Sequence, residues 1–188
     1  MSGHNKWAQI KHRKAATDAV KSREFSRFAR LIALESKKAA GNLQSPALAA
    51  AISRAKAANM PKDNIERAVA KGASKDSGSL EQVAYEAYGP GGAAIIVDAL
   101  TDNKNRTTQE IKHLFSKNGF ELATPGAASW AFTKNPAGAY IPNEPLMEVA
   151  GEDEEKLGAI LSELDEHEDV QAVYTNARGF ETTQDGAA

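Results

Sequence analysis

The sequence predicts an α+β protein: a basic three-helix domain at the N-terminus, then an acidic α/β domain of sandwich-like form, with an antiparallel or mixed sheet carrying two helices on one face. Three observations lead there. Up to residue 72 the apolar residues recur every three or four positions, whereas after residue 80 they alternate. Between the two patterns the charge changes sign. Residues 1–72 hold 15 Lys and Arg against 5 Asp and Glu, and residues 73–188 hold 8 against 20. The net charge of −2 thus conceals halves of +10 and −12. Such asymmetry points to two modules, the basic one facing a polyanion.

The first helix is expected over about Lys21 to Ala40, where Phe25, Phe28, Ala29 and Ile32 share a face. Gly41-Asn42 ends it, and Ser45-Pro46 reads as an N-cap followed by proline at the first helical position. Leu48, Ile52 and Ala55 form the inward stripe of a second helix. Asn59-Met60-Pro61 breaks the chain into a third, with Ile65 and Val69 inward and Gly72 as its stop. The small polar stretch 73–79 is the expected linker.

Beyond it, Val83, Tyr85 and Ala87 alternate as a strand, Gly89-Pro90-Gly91-Gly92 turns, and Ala94 to Leu100 returns. Asp102 or Asn103 caps a helix with Ile111, Leu114 and Phe115 inward, stopped by Asn118-Gly119. Ala128, Trp130 and Phe132 alternate as a third strand, and a short one is expected over Leu146 to Val149. Leu157, Ile160, Leu161 and Leu164 mark an amphipathic helix, followed by a last strand over Val170 to Tyr174. The domains are therefore 1–72 and 80–176, with a flexible tail over 177–188.

Composition removes several classes of function. Without cysteine there is no disulfide, no catalytic thiolate and no thiolate-held metal. No run of about 18 apolar residues spans a membrane. The charged N-terminus lacks the apolar core of a secretory signal, so a cytoplasmic address is expected. His4, His12, His113 and His167 have no metal-ligand spacing, and no P-loop, GxGxxG or GxSxG pattern occurs. The glycine-rich turn precedes a strand and not a helix, which makes it a hairpin turn before a phosphate cradle. The acidic residues Glu152 to Glu155, Glu163, Asp165, Glu166, Glu168 and Asp169 read as a solvated face. Neither an enzyme, a cofactor nor a small-molecule substrate is expected.

Binding is better supported. Lys6, Trp7, Lys11, His12, Arg13 and Lys14 crowd one short segment. Its cations neutralise phosphates, and Trp7 either stacks on an unpaired base or plugs the helical core. Arg23, Arg27, Arg30 and Lys37 lie within roughly 80° of arc on the first helix, nearly opposite its apolar face. Asn103, Lys104, Asn105 and Arg106 form a polar loop at a helix start that either grips phosphate or simply caps.

Several motifs together resemble the YebC/PmpR family, which includes the mitochondrial translational activator of cytochrome oxidase. They are Gly3-His4-Asn5-Lys6-Trp7, Ile10-Lys11-His12-Arg13-Lys14, Asn59-Met60-Pro61, Tyr85-Glu86-Ala87-Tyr88-Gly89-Pro90-Gly91-Gly92, Thr101-Asp102-Asn103-Lys104-Asn105-Arg106-Thr107 and the closing Asp169 to Asn176. The resemblance implies an N-terminal helical domain, α/β domains and no enzymatic activity. Members are described as DNA-binding transcriptional regulators and as ribosome-associated translation factors. The basic N-terminal residues and the Asn-Arg loop map onto Lys6 to Lys14 and Asn103 to Arg106. The family usually inserts a further domain after the strand matching Ser129 to Phe132. Here Thr133 to Pro142 runs almost directly into the closing strand–helix–strand, so a two-domain form is expected. Ala87 also stands where the family usually has glycine.

The expected function is a monomeric, non-enzymatic factor that binds RNA on the ribosome. The alternatives are a regulator binding duplex DNA, and an interaction module whose acidic domain binds a basic protein or folds back on its own basic half.

Overall fold

The computed structural model describes residues 18–74, 80–136 and 138–181. Among these, helix α1 spans Asp18–Lys38, α2 Pro46–Ala57 and α3 Lys62–Ala73. Their shared core is Ile32, Leu48, Ala51, Ala55, Met60, Ile65 and Ala68, with Phe25, Phe28 and Ala29 packed against it. Helix α1 stops because Ala40 and Gly41 take positive φ. That turn sends the Gly41 N–H back to the Ser36 carbonyl at 2.8 Å. Helix α2 stops the same way, with Asn59 at φ 61 and the Met60 N–H on the Ala55 carbonyl at 3.0 Å. Ser45 stands at the expected N-terminal position, but its side chain makes no capping bond.

Gly72 does more than end a helix. It lies inside the last turn of α3, buried against α1. A Cβ there would sit 2.2 Å from the Ala33 carbonyl oxygen and 2.7 Å from Ser36 Cβ. The approach is close enough for the buried Ser36 hydroxyl to donate to the Val69 carbonyl at 2.8 Å.

The second part is built on β1 (Glu81–Tyr88), β2 (Ala94–Thr101) and β5 (Val170–Thr175), in the order β1-β2-β5 and antiparallel throughout. Central β2 is buried on both faces. Ile95, Val97 and Ala99 face α4 (Lys104–Lys117) and α5 (Glu152–Glu166) through Ile111, Phe115, Leu157, Ile160, Leu161 and Leu164. Ala94 and Ile96 face the other way, onto Ala128, Ala131, Phe132 and Tyr174. That side is roofed by the hairpin of β3 (Phe132–Lys134) and β4 (Tyr140–Pro142). Tyr140 packs there between Phe132 and Tyr174, with ring centroids 6.1 and 5.3 Å away. The fold is α+β, with two helices on one sheet face.

Three expectations change. Ala128 to Phe132 is not a strand. Residues Ser129–Ala131 form a 3-10 turn, and Trp130 is 66% exposed. The reason is Glu86, whose carboxylate accepts the N–H groups of Gly126, Ala128 and Ser129 at 2.8, 2.7 and 2.9 Å, leaving them unavailable to a ladder. Leu146 to Val149 likewise makes only a single bridge, Met147 beside Ala177. The tail boundary at 177 also moves, since Ala177 and Phe180 are buried in the sheet core. Replacing Glu86 by alanine strands three donors at once. We expect a loss of about 1–3 kcal/mol, read as a lower urea midpoint, with faster amide exchange confined to residues 124–131. An unchanged midpoint would mean that water satisfies the loop as well as the carboxylate does.

No helix among the described residues is long and apolar enough to cross a membrane.

Candidate nucleic-acid interface

Six of the candidate residues, Lys6, Trp7, Lys11, His12, Arg13 and Lys14, lie outside the described residues. The other eight belong to two groups, which the fold joins through Arg30 and Arg106 at Asp169.

The first group is the arginine stripe of α1. Arg23, Arg27 and Arg30 face the second part of the chain and meet its carboxylates. Arg27 pairs with Asp165 Oδ1 at 3.2 Å and also donates to the Asp165 main-chain oxygen. Arg30 pairs with Asp169, lies 3.8 Å from Glu168, and donates to the Leu100 carbonyl at 3.3 Å. Arg23 is 4.0 Å from Glu166. Lys37 is exposed in the last turn of α1.

The second group is the loop before α4. Asn103 caps the helix, its Oδ1 accepting the Arg106 N–H at 3.1 Å. Arg106 reaches Asp169 Oδ2 at 2.8 Å and Asp102 Oδ1 at 3.1 Å, with Glu110 at 3.8 Å. Lys104 and Asn105 are exposed in the first turn. For Asn103, capping is the observed role.

Both groups converge on Asp169, which is 2% exposed. One oxygen takes Arg30; the other takes Arg106 at 2.8 Å and the Thr107 hydroxyl at 2.6 Å. Burial by itself would raise this carboxyl's pKa. The hydrogen bonds from Thr107, Arg106 and Arg30 outweigh it and hold the group far below the ordinary carboxylate range. The Asp169 N–H donates to His167 Nδ1 at 3.1 Å, which leaves the ring proton on Nε2, 3.0 Å from Glu110. Glu110, His167 and Asp169 lie close enough together to hold a cation. Their ligand atoms are already committed to these hydrogen bonds, and two arginines supply the positive charge, so the donor set does not fit a metal.

The acidic residues therefore divide. Glu152 to Glu155 occupy the first turn of α5, where the helix dipole favours them. Asp165, Glu166, Glu168 and Asp169 are not a plain solvated face, because they receive the arginine stripe. The sequence signal that could have separated them is the complementarity of the +10 and −12 halves. Outside this seam, Arg54, Lys56, Arg67 and Lys71 are exposed on α2 and α3. Arg67 and Lys71 rim a groove of about 470 Å³, floored by Phe25, Ala29 and Met60.

Fold and site define a class: an α+β protein in which a basic helical part docks on an acidic sheet part through arginine–carboxylate pairs. Two family models match in succession, the TACO1/YebC protein N-terminal domain over residues 5–75 and the TACO1/YebC second and third domain over residues 80–138. The chain belongs to the TACO1/YebC family. A protein of Thermotoga maritima described as a "Probable transcriptional regulatory protein" is 52% identical over 136 residues, which is 71% of this chain and 54% of that protein. One of the same description from Francisella tularensis subsp. mediasiatica is 44% identical over 191 residues, covering 98% of this chain and 75% of its own length. The chain thus spans about half the length of the Thermotoga relative it matches. Among solved structures, a conserved hypothetical protein of Aquifex aeolicus superposes with a TM-score of 0.81 at 31% identity, over 92% of this chain and 96% of that one.

Proposed function

We propose that the chain is a non-enzymatic, nucleic-acid-binding regulator of gene expression, acting on duplex DNA as a regulator of transcription. The observation that carries this reading is the separation of charge. The basic helical part keeps Arg54, Lys56, Arg67 and Lys71 exposed even after its arginine stripe is engaged by the acidic part. Cations on one small domain give salt-dependent affinity for phosphate backbones. The relatives' description as probable transcriptional regulatory proteins favours DNA as the polymer. The ribosome-directed reading, first from sequence, takes second place on that account.

Fluorescence anisotropy with a duplex DNA and a single-stranded RNA of matched sequence tests the proposal. Duplex binding that weakens steeply between about 50 and 200 mM salt is expected. The double reversal Lys11→Glu with Arg13→Glu should lower affinity by at least about tenfold without changing the circular dichroism spectrum. Equal affinity in that variant would remove the N-terminal segment from the interface. Preference for the RNA, together with co-sedimentation with ribosomes, would replace transcription by translation as the process regulated.

A further inference from the structure

We propose that the seam between α1 and the segment entering β5 is a seat for one phosphate group, which Glu168 holds in the absence of that ligand. The proposal deepens the nucleic-acid reading and rests on it for the source of the phosphate, a backbone phosphodiester. A notch of about 160 Å³ opens there. One wall is a single helix face, on which Arg23, Arg27 and Arg30 follow at spacings of four and three; Ser22 and Ser26 line it too, the Ser26 hydroxyl donating to the Ser22 carbonyl at 3.0 Å. His167 and Glu168 form the opposite wall. Of the three guanidinium groups lining the notch, Arg27 and Arg30 are anchored on Asp165 and Asp169, which leaves Arg23 and the outward edge of Arg30 to face it together with Glu168. Guanidinium forks converging on one notch are the set that recognises a tetrahedral oxyanion.

The ion pairs of the seam differ in strength in a way that fits this role. Arg30 on buried Asp169, and Arg27 on both the side chain and the main chain of Asp165, are tight and fix two arginines in place. Arg23 to Glu166 at 4.0 Å and Arg30 to Glu168 at 3.8 Å are loose, and the Glu168 side chain is 86% exposed. An exposed carboxylate at that distance is weakly held. An entering phosphate takes the outward edge of Arg30 from Glu168 and gains Arg23, while the anchored pairs stay closed. His167 acts as a wall, since its two nitrogens are already bonded to the Asp169 N–H and to Glu110.

The test titrates the full chain with inorganic phosphate, pyrophosphate and a short duplex DNA, followed by amide NMR and calorimetry. All three should shift the signals of Ser22, Arg23, Ser26 and Glu168. Glu168→Gln should tighten pyrophosphate and duplex about threefold, and Arg23→Gln should weaken both by a similar factor. Glu144→Gln, an equal charge change beside β4, should alter neither. Unmoved seam signals and unaltered affinity in Glu168→Gln would overturn the seat. If the duplex still binds in that case, the nucleic-acid reading survives alone. Pyrophosphate seated at the seam, with no duplex binding, would keep the seat and remove the nucleic-acid reading.

Discussion

Replacing Asp169 by alanine is expected to cost about 3 kcal/mol of folding stability and to loosen the hold of α1 on the sheet. The cost is that of uncompensated charge. Asp169 is almost fully buried and accepts from Arg30, Arg106 and Thr107. Removing one partner of such a buried cluster leaves cations without their counter-charge, an effect of about 3–5 kcal/mol in general. Arg30 and Arg106 keep some contact with water, and Arg106 retains Asp102, so the low end applies. Urea unfolding measures the loss, and a change below about 1 kcal/mol would show that the pairs behave as ordinary surface contacts.

The same residue makes acid stability predictable in sign. Its folded-state pKa lies below the unfolded value of about 3.9. The unfolded chain therefore binds the proton first, and stability falls as pH falls. The contribution is complete above about pH 5 and is lost progressively as acidification proceeds toward the folded pKa. Asp169→Asn should accordingly flatten the stability profile over that window. A profile parallel to that of the unsubstituted protein would place the acid sensitivity in other carboxylates.

Gly72→Ala is expected to destabilise by about 2–3 kcal/mol, a second large effect from a very small change. Alanine improves the helix propensity of that position by roughly 1 kcal/mol. The added methyl would nonetheless lie 2.2 Å from the Ala33 carbonyl oxygen, a backbone atom that no rotamer change can move aside. The clash wins because α1 and α3 must separate, and separation strips contacts from Ile32, Ile65 and Ala68. A fall in Tm of several degrees is expected. An unchanged Tm would mean that the two helices have slack at this crossing.

How far these features were legible varies with sequence distance. The stripe of Leu157, Ile160, Leu161 and Leu164 is a local period, and it reads as a helix because four residues one turn apart must share a face. Asn59 and Gly41 likewise announce chain reversals, since each tolerates the left-handed backbone those turns need. Trp130 misled because alternation over five residues also fits a turn, and what decides is Glu86, about forty residues earlier. Among the candidate contacts, residue type and helical face placed Arg23, Arg27 and Arg30 together. Their partners were out of reach, because Arg27 and Asp165 are 138 positions apart.

Local patterns along the chain were enough for the α+β class, the opposite charges of the two halves, most helices and strands, and the family. These depend on local periodicity and on residue type, which neighbouring positions suffice to express. That the arginine stripe faces the acidic part, that Asp169 joins Arg30 to Arg106, and that Gly72 is a crossing point emerged only in three dimensions. Each of these is a meeting of groups distant along the chain. Coulomb attraction and steric exclusion act through space, so their outcome is set only once the fold has brought the groups within a few ångströms.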